Sequence, residues 1–264
     1  MDLGLEGKTA VITGASRGIG LAIAETLAAE GVRLVGAART ITPELEKVAA
    51  AAISVDLSST EGAQRLVAES LAELGGIDIL INNVGGGDAS QLAGGLGGIL
   101  DARDEQMRNF FDLNLFGVIA ATRAALPSIV ERRGAIVTVS SINSRLPAAG
   151  PVGYSEAKAA LTAFSKRLSE EFGPQGVRVN TVSPGPVATD IWHGADSLGS
   201  RLAAANGVTH EQFLNVMPET FGIASGRIST AAEVAALVTF LASDRVTNVL
   251  GADFVIDGGI LKTA

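Results

Sequence analysis

Short apolar, β-branched runs alternate along the chain with longer stretches in which apolar residues return every three to four positions. Thr9–Thr13 is the first short run and carries no polar alternation. A strand covered by helices on both faces reads this way. Further strands are predicted at Val32–Ala38, Ala52–Asp56, Ile77–Asn82, Gly134–Ser140, Val177–Val182 and Ala252–Asp257. Helical periodicity covers Ile19–Glu30, which Gly31 can terminate, then Thr60–Leu74, Asp104–Arg132, Val152–Phe172 and Ala231–Ser243. Strands alternating with helices predict right-handed crossovers, hence an α/β fold with a doubly wound, seven-stranded parallel sheet and helices on both faces.

Two stretches interrupt this rhythm. Gly85-Gly86-Gly87 and Gly94-Gly95-Leu96-Gly97-Gly98 follow the fourth predicted strand and read as a mobile loop over the sheet's carboxyl edge. Thr189 to Ile228 reads as an insertion between the sixth strand and the last helix, a substrate lid whose apolar residues are Trp192, Leu198, Phe213 and Phe221. No linker divides the chain, so residues 1–264 are expected to form a single domain with a lid at about 189–228.

The composition narrows the function. The chain has 264 residues, 47% of them hydrophobic, enough for a sizeable core. A net charge of −8 and the lack of any basic stripe beyond Arg132-Arg133 argue against nucleic acid as a partner. There is no cysteine, which excludes disulfides and thiolate zinc sites. His193 and His210 are the only histidines and read as solvated loop side chains, so no metal site is expected. The first residues show neither a basic nor an apolar signal region, and no apolar run reaches about 18 residues, so neither a secretory signal nor a membrane span is expected. These features suit a cytoplasmic protein acting on a small molecule.

The first strand leads into Thr13-Gly14-Ala15-Ser16-Arg17-Gly18-Ile19-Gly20. Gly14, Gly18 and Gly20 would let the main chain approach a pyrophosphate, and the helix opening at Ile19 would aim free N–H groups at the anion. A carboxylate at the end of the second strand would bind both ribose hydroxyls and repel a 2′-phosphate. The residues there are Ala38 and Arg39, with no acid. Arg39 and Arg17 suit a phosphate, because a guanidinium donates two parallel hydrogen bonds. NADP(H) is therefore favoured over NAD(H), which stays open.

Tyr154 is the chain's only tyrosine, and Lys158 follows one helical turn later on the same face. A nearby ammonium lowers a phenol's pKa and makes it a serviceable proton carrier. Ser140-Ser141 closes the fifth predicted strand, and Asn82-Asn83-Val84-Gly85 closes the fourth, at the edge where open α/β sheets bind ligands. Asn114 is an amide within an otherwise apolar helical stretch and needs partners or a task.

Taken together, these motifs resemble the short-chain dehydrogenase/reductases of the simple type. The resemblance runs from Lys8 to Gly259 and includes Arg178-Val179-Asn180, Ser183-Pro184-Gly185-Pro186-Val187-Ala188-Thr189 and Ile256-Asp257-Gly258-Gly259. It implies a Rossmann fold, a hydride transfer between a nicotinamide and a ketone or secondary alcohol, and a homotetramer. It also implies roles. Tyr154 would exchange the proton, Lys158 would hold the nicotinamide ribose and lower the Tyr154 pKa, Ser141 would bond the carbonyl, and Asn114 would hold a relay water. Gly14, Ser16, Arg17, Gly18, Ile19, Gly20, Ala38 and Arg39 would contact the cofactor's phosphate side. Asp56 and Leu57 would flank the adenine, with Asn83, Gly85, Pro184, Gly185, Val187 and Thr189 further along the cofactor. Asn143 and Trp192 would join Ser141 and Tyr154 in the substrate pocket. Val84 and Glu156 depart from the family's usual small residues, and Thr247-Asn248-Val249 departs from its usual aromatic. The alternatives are a 3-oxoacyl-carrier-protein reductase, against which Glu170-Glu171 stands, and a cofactor-sensing protein without turnover.

Overall fold

A computed structural model of the chain describes residues 2–87 and 89–262. Met1, Asp88, Thr263 and Ala264, which the reading of 1–264 as one unit included, lie outside them. In chain order the elements are β1 (Thr9–Thr13), α1 (Gly18–Ala29), β2 (Arg33–Ala38), α2 (Pro43–Val48), β3 (Ala51–Ser54), α3 (Thr60–Leu74) and β4 (Ile79–Asn82). Then come α4 (Ala89–Gly94), α5 (Asp104–Phe111), α6 (Gly117–Glu131), β5 (Ala135–Val139), α7 (Tyr154–Phe172), β6 (Arg178–Pro184) and β7 (Val187–Ala188). The last are α8 (Asp190–His193), α9 (Leu198–Ala205), α10 (His210–Thr220), β8 (Ser229–Thr230), α11 (Ala231–Ala242) and β9 (Asp253–Ile256).

Seven strands form one parallel sheet in the order β3-β2-β1-β4-β5-β6-β9. The predicted strands and long helices are all present, with ends moved by a residue or two. Alternate residues of β1 explain the unbroken apolar run. Ala10 and Ile12 enter the core formed with Ile23 and Leu27 of α1 and Val234 and Val238 of α11. Val11 enters the opposite core, with Leu66 of α3, Ile129 of α6 and Leu168 of α7. Each large side chain so buried contributes about 1.5–3 kcal/mol relative to exposure. The order in which strands are added reverses between β1 and β4, which opens a crevice at their carboxyl ends.

Asp104–Arg132 is not one regular helix. α5 widens into a π-helical turn over Asp112–Phe116 before α6 continues. This continuous stretch, Asp104–Glu131, is long and apolar enough to cross a membrane, which the sequence reading expects of no segment, and half of its most apolar part is buried inside the fold. Its apolarity is that of a helix packed on α3, α7 and the sheet.

The segment between β7 and β8 folds into α8, α9 and α10, which the periodicity did not separate. Its two ends are joined by the short parallel pair Val187↔Ser229 and Ala188↔Thr230. α2 is a short helix in a stretch that the periodicity leaves unassigned, and α4 one between the two glycine runs read as a mobile loop.

Candidate active site

The glycine turn is held to the sheet by side chains. Thr13 Oγ1 accepts from the Asn83 and Val84 N–H groups at 2.9 and 3.0 Å. Asn83 Nδ2 donates to the carbonyls of Thr13 and Gly14 at 3.0 and 2.9 Å. Asn83 therefore shapes the turn, and its amide is already spent. Gly14 and Gly18 have φ of +67° and +56°, where a side chain would be strained. A Cβ on Gly20 would collide with the Gly14 carbonyl, so this glycine permits the tight strand-to-helix passage. Ser16 Oγ is buried and has no hydrogen-bond partner among the described residues. Ile19 packs its partly buried side chain on the core under the turn.

At the end of β2, Ala38 is followed by the exposed Arg39. Across from it, the Asp56 carboxyl accepts from the Ser58 N–H and hydroxyl, and these bonds, with Arg39 nearby, hold its pKa below the ordinary carboxylate value. Leu57 is 2% exposed and belongs to the core. Its carbonyl is packed against Gly117. Arg17 is exposed at the head of α1. Thr189 lies against Gly18, so the chain leaving β6 through Pro184, Gly185 and Val187 closes back onto the glycine turn.

The second half of the site stands at the ends of β4 and β5. Of the serine pair, Ser140 is turned away, with its Oγ bonded to the Lys158 carbonyl and to Thr162. Ser141 Oγ donates to Asn143 Oδ1 at 3.1 Å and lies close enough to the Tyr154 hydroxyl to lower its pKa. Asn143 thus backs Ser141. Lys158 is 2% exposed and donates to the Val139 carbonyl at 3.0 Å, with Nζ 5.9 Å from the Tyr154 ring centre. A Cβ on Gly85 would stand 2.7 Å from Lys158 Nζ and 2.8 Å from Asn114 Oδ1, so the absent side chain lets these two groups converge. Asn114 owes its position to the π turn. Its amide donates to the Phe110 carbonyl at 2.9 Å and to Gly86 O at 3.0 Å, while its oxygen accepts from Gly86 N at 2.8 Å. π-helical turns recur at functional sites because they re-aim one side chain without ending the helix.

One electrostatic expectation is corrected. Lys158 was expected to lower the Tyr154 pKa. Burial instead raises Tyr154 above its ordinary value, against the opposing effect of the Ser141 hydrogen bond. Burial also lowers Lys158 to about 8, since a desolvated ammonium gives up its proton more readily. A protonated phenol is the form that can donate.

Several neighbours of Tyr154 gave no signal in the sequence. Phe110 meets it edge-on at 6.0 Å. Leu92, Ala93, Ile191, Leu198 and Leu202 form an apolar cluster that includes Tyr154 and Trp192. Trp192 also packs on Phe221, with ring centres 5.8 Å apart. Phe213 is 7% exposed on the buried face of α10, which makes it packing. Glu156, one of the noted departures, accepts from Gly153 N at 2.6 Å and caps α7. Arg178 is structural as well, because its guanidinium takes the last carbonyls of α11 at Leu241 and Ala242. His210 is not a solvated side chain; its Nε2 lies 2.7 Å from the Trp192 carbonyl.

A glycine turn at the head of the crevice and a Ser–Tyr–Lys–Asn group opposite it make the comparison with known proteins decisive. Residues 14–261 match the family profile described as enoyl-(acyl carrier protein) reductase. The chain belongs to the short-chain dehydrogenase/reductase family. Members of this family are NAD(P)-dependent oxidoreductases, and this chain is one of them. The 3-oxoacyl-[acyl-carrier-protein] reductase FabG of Escherichia coli (strain K12) is 30% identical over 98% of this chain and 99% of its own. The oxidoreductase UcpA of Salmonella typhimurium is 35% identical over 97% of this chain and 95% of its own. Among solved structures, the L-sorbose reductase of Gluconobacter frateurii, complexed with NADPH and L-sorbose, superposes with a TM-score of 0.89 at 33% identity, covering 100% of both chains.

Proposed function

We propose that this dehydrogenase/reductase transfers a hydride between NADP(H) and a ketone or secondary alcohol, with Tyr154 as proton donor and acceptor. The observation that carries the reading is the convergence of Ser141, Tyr154, Lys158 and Asn114 at one carboxyl edge of the sheet, facing the glycine turn. The cofactor's place is supported by the unpartnered buried Ser16 Oγ and the positive-φ glycines. NADP(H) is favoured by Arg39 and Arg17 with no acid at Ala38, and a structural neighbour is complexed with NADPH. When bound, the nicotinamide supplies the hydride. Ser141 would hold the substrate carbonyl beside the Tyr154 hydroxyl, which donates its proton to the forming alkoxide. Lys158 would hold the ribose, and Asn114 would fix the backbone of the loop that borders them.

The helices of 189–228 serve as the substrate lid, with Trp192 and Asn143 bordering the pocket. The apolar cluster around Tyr154 suits a ketone with an apolar group. The second reading, a 3-oxoacyl-carrier-protein reductase, is favoured by the similarity to FabG. Against it, Lys166 and Arg167 at the end of α7 are each paired with Glu170 or Glu171, which leaves little basic surface there for an acidic carrier. A panel of free ketones and 3-oxoacyl thioesters with NADPH, followed by the loss of cofactor absorbance, tests both. Oxidation of NADPH by no ketone or thioester would overturn the proposal and leave the cofactor-sensing reading.

The chain is further proposed to be a homotetramer. Phe116 is 54% exposed on the π turn, beside Phe111, and the long helix keeps an apolar outer face. Light scattering at micromolar concentration checks this, and a monomer would refute it.

A further inference from the structure

The carbonyl of Trp192 lies at the end of α8, a helix of four residues. The final carbonyls of a helix have no partner within it and must find one elsewhere. Here two side chains from two other elements supply it. Ser197, the N-cap of α9, donates its hydroxyl at 3.1 Å, and His210, the first residue of α10, stands with Nε2 at 2.7 Å. A carbonyl can only accept, so Nε2 carries the proton. Gly199 completes the junction, because a Cβ there would collide with the same carbonyl and reach 3.0 Å from the imidazole. All three short helices therefore meet on one backbone atom of the residue whose indole bridges the two apolar clusters. One of these contains Tyr154, and the other contains Phe213 and Met217.

We infer that His210 is a positioning residue that fixes Trp192 as the substrate-facing wall opposite Tyr154, and so sets which ketones the site accepts. The inference rests on the reading of Trp192 as part of the substrate pocket. His210 touches neither the proton-carrying group nor the glycine turn. Its loss should therefore act on substrate binding and size discrimination and leave cofactor binding alone. Without the imidazole, the Trp192 carbonyl keeps only the Ser197 hydroxyl, and α8 can roll on the α10 cluster.

The chain's single tryptophan gives a direct readout. Indole emission and acrylamide quenching are measured for wild type, His210→Ala, His210→Gln and Gly199→Ala, together with steady-state kinetics on a small ketone, ethyl acetoacetate, and a ring-bearing one, acetophenone. In His210→Ala the emission moves to the red and quenching increases. KM for acetophenone rises about tenfold, the equivalent of ~1.4 kcal/mol of lost binding. Its kcat and the dissociation constant of NADPH stay within about twofold, below half a decade of change. His210→Gln, whose amide can donate to the same carbonyl, restores emission and KM. Gly199→Ala, which pushes the carbonyl aside while keeping the histidine, reproduces the alanine phenotype if His210→Ala is too poorly folded to assay. Unchanged emission and quenching in both disruptive variants would overturn the junction itself. Shifted emission with KM unchanged for both ketones would overturn the role of Trp192 as the wall. Turnover of neither ketone by wild type would count against the proposed reaction, while the emission data would still report on the junction.

Discussion

The carboxyl edge of the sheet and the helical segment between β7 and β8 are built on different principles. At the edge, the glycine turn, Asn83 and Ser141 each continue a strand whose register is set by neighbours on both sides. Thr13, Asn82 and Ser140 are 1%, 1% and 4% exposed, and the chain that follows each is positioned by that burial. The segment from α8 to α10 rests instead on a small core of Ala203, Phe213 and Met217, a two-residue strand pair and the junction on the Trp192 carbonyl. The edge can hold atoms to the tolerance that proton transfer demands. The segment can change with fewer consequences for the rest of the fold, which suits the part of a reductase that meets different substrates.

The contrast breaks most visibly if chemistry does not depend on the edge. Tyr154→Phe keeps the ring packed against Phe110 but removes the transferable proton, and turnover is expected to fall by about 10²–10⁴-fold, the scale of general acid–base catalysis. Near wild-type rates in a folded variant would end the assignment.

Next in size is cofactor choice. Arg39→Leu should cost about 1.5–3 kcal/mol of NADPH binding, the range for hydrogen bonds to a charged group. That corresponds to roughly 10- to 150-fold in the dissociation constant. NADH binding should hardly move, and Ala38→Asp with Arg39→Leu should invert the preference. Arg17 can keep part of the phosphate binding, which would place the single variant at the low end. Equal losses for both cofactors would make Arg39 a structural residue, tied to Asp56 across the groove.

The stability of the two regions sharpens the comparison. Leu80 is 0% exposed in the sheet and Met217 is 1% exposed on the buried face of α10. Truncating either to alanine falls in the range of about 2–5 kcal/mol. Leu80→Ala should lie near the top and Met217→Ala near the bottom, because the smaller cluster can collapse around the gap. Denaturant melts of the two variants give the difference, and a larger loss at Met217 would reverse the ranking of the regions.

The smallest effect is on pH dependence. In the cofactor-free protein, burial brings Lys158 to about 8, so its charge is lost as pH rises through that value. The ketone-reducing kcat/KM should decline above about pH 8, by up to tenfold per unit for a single essential proton. Lys158→Met should remove this limb of the profile along with most of the activity. Stability runs the other way. Between about 8 and the ordinary 10.5 the unfolded chain holds this proton and the folded chain does not, so the contribution of Lys158 to stability rises with pH across that window.

Periodicity along the chain is enough to determine the seven strands, the long helices and a parallel sheet, though not the strand order, because a strand buried on both faces and a helix with one apolar stripe impose different local patterns. Spacing also brought Tyr154 and Lys158 to one helix face and placed the glycine turn at a helix start. Tertiary structure alone decided the rest. Whether Ser140 or Ser141 faces Tyr154 depends on which one α7 packs against. The π turn that aims Asn114 at Gly86 is stabilised by contacts from a loop far away in sequence. The direction of the Tyr154 pKa follows from burial, which no residue spacing encodes. The bond between His210 and Trp192 joins two short helices with no long apolar stripe of their own. Local pattern records which face of an element is buried; it does not record which partner atom waits there.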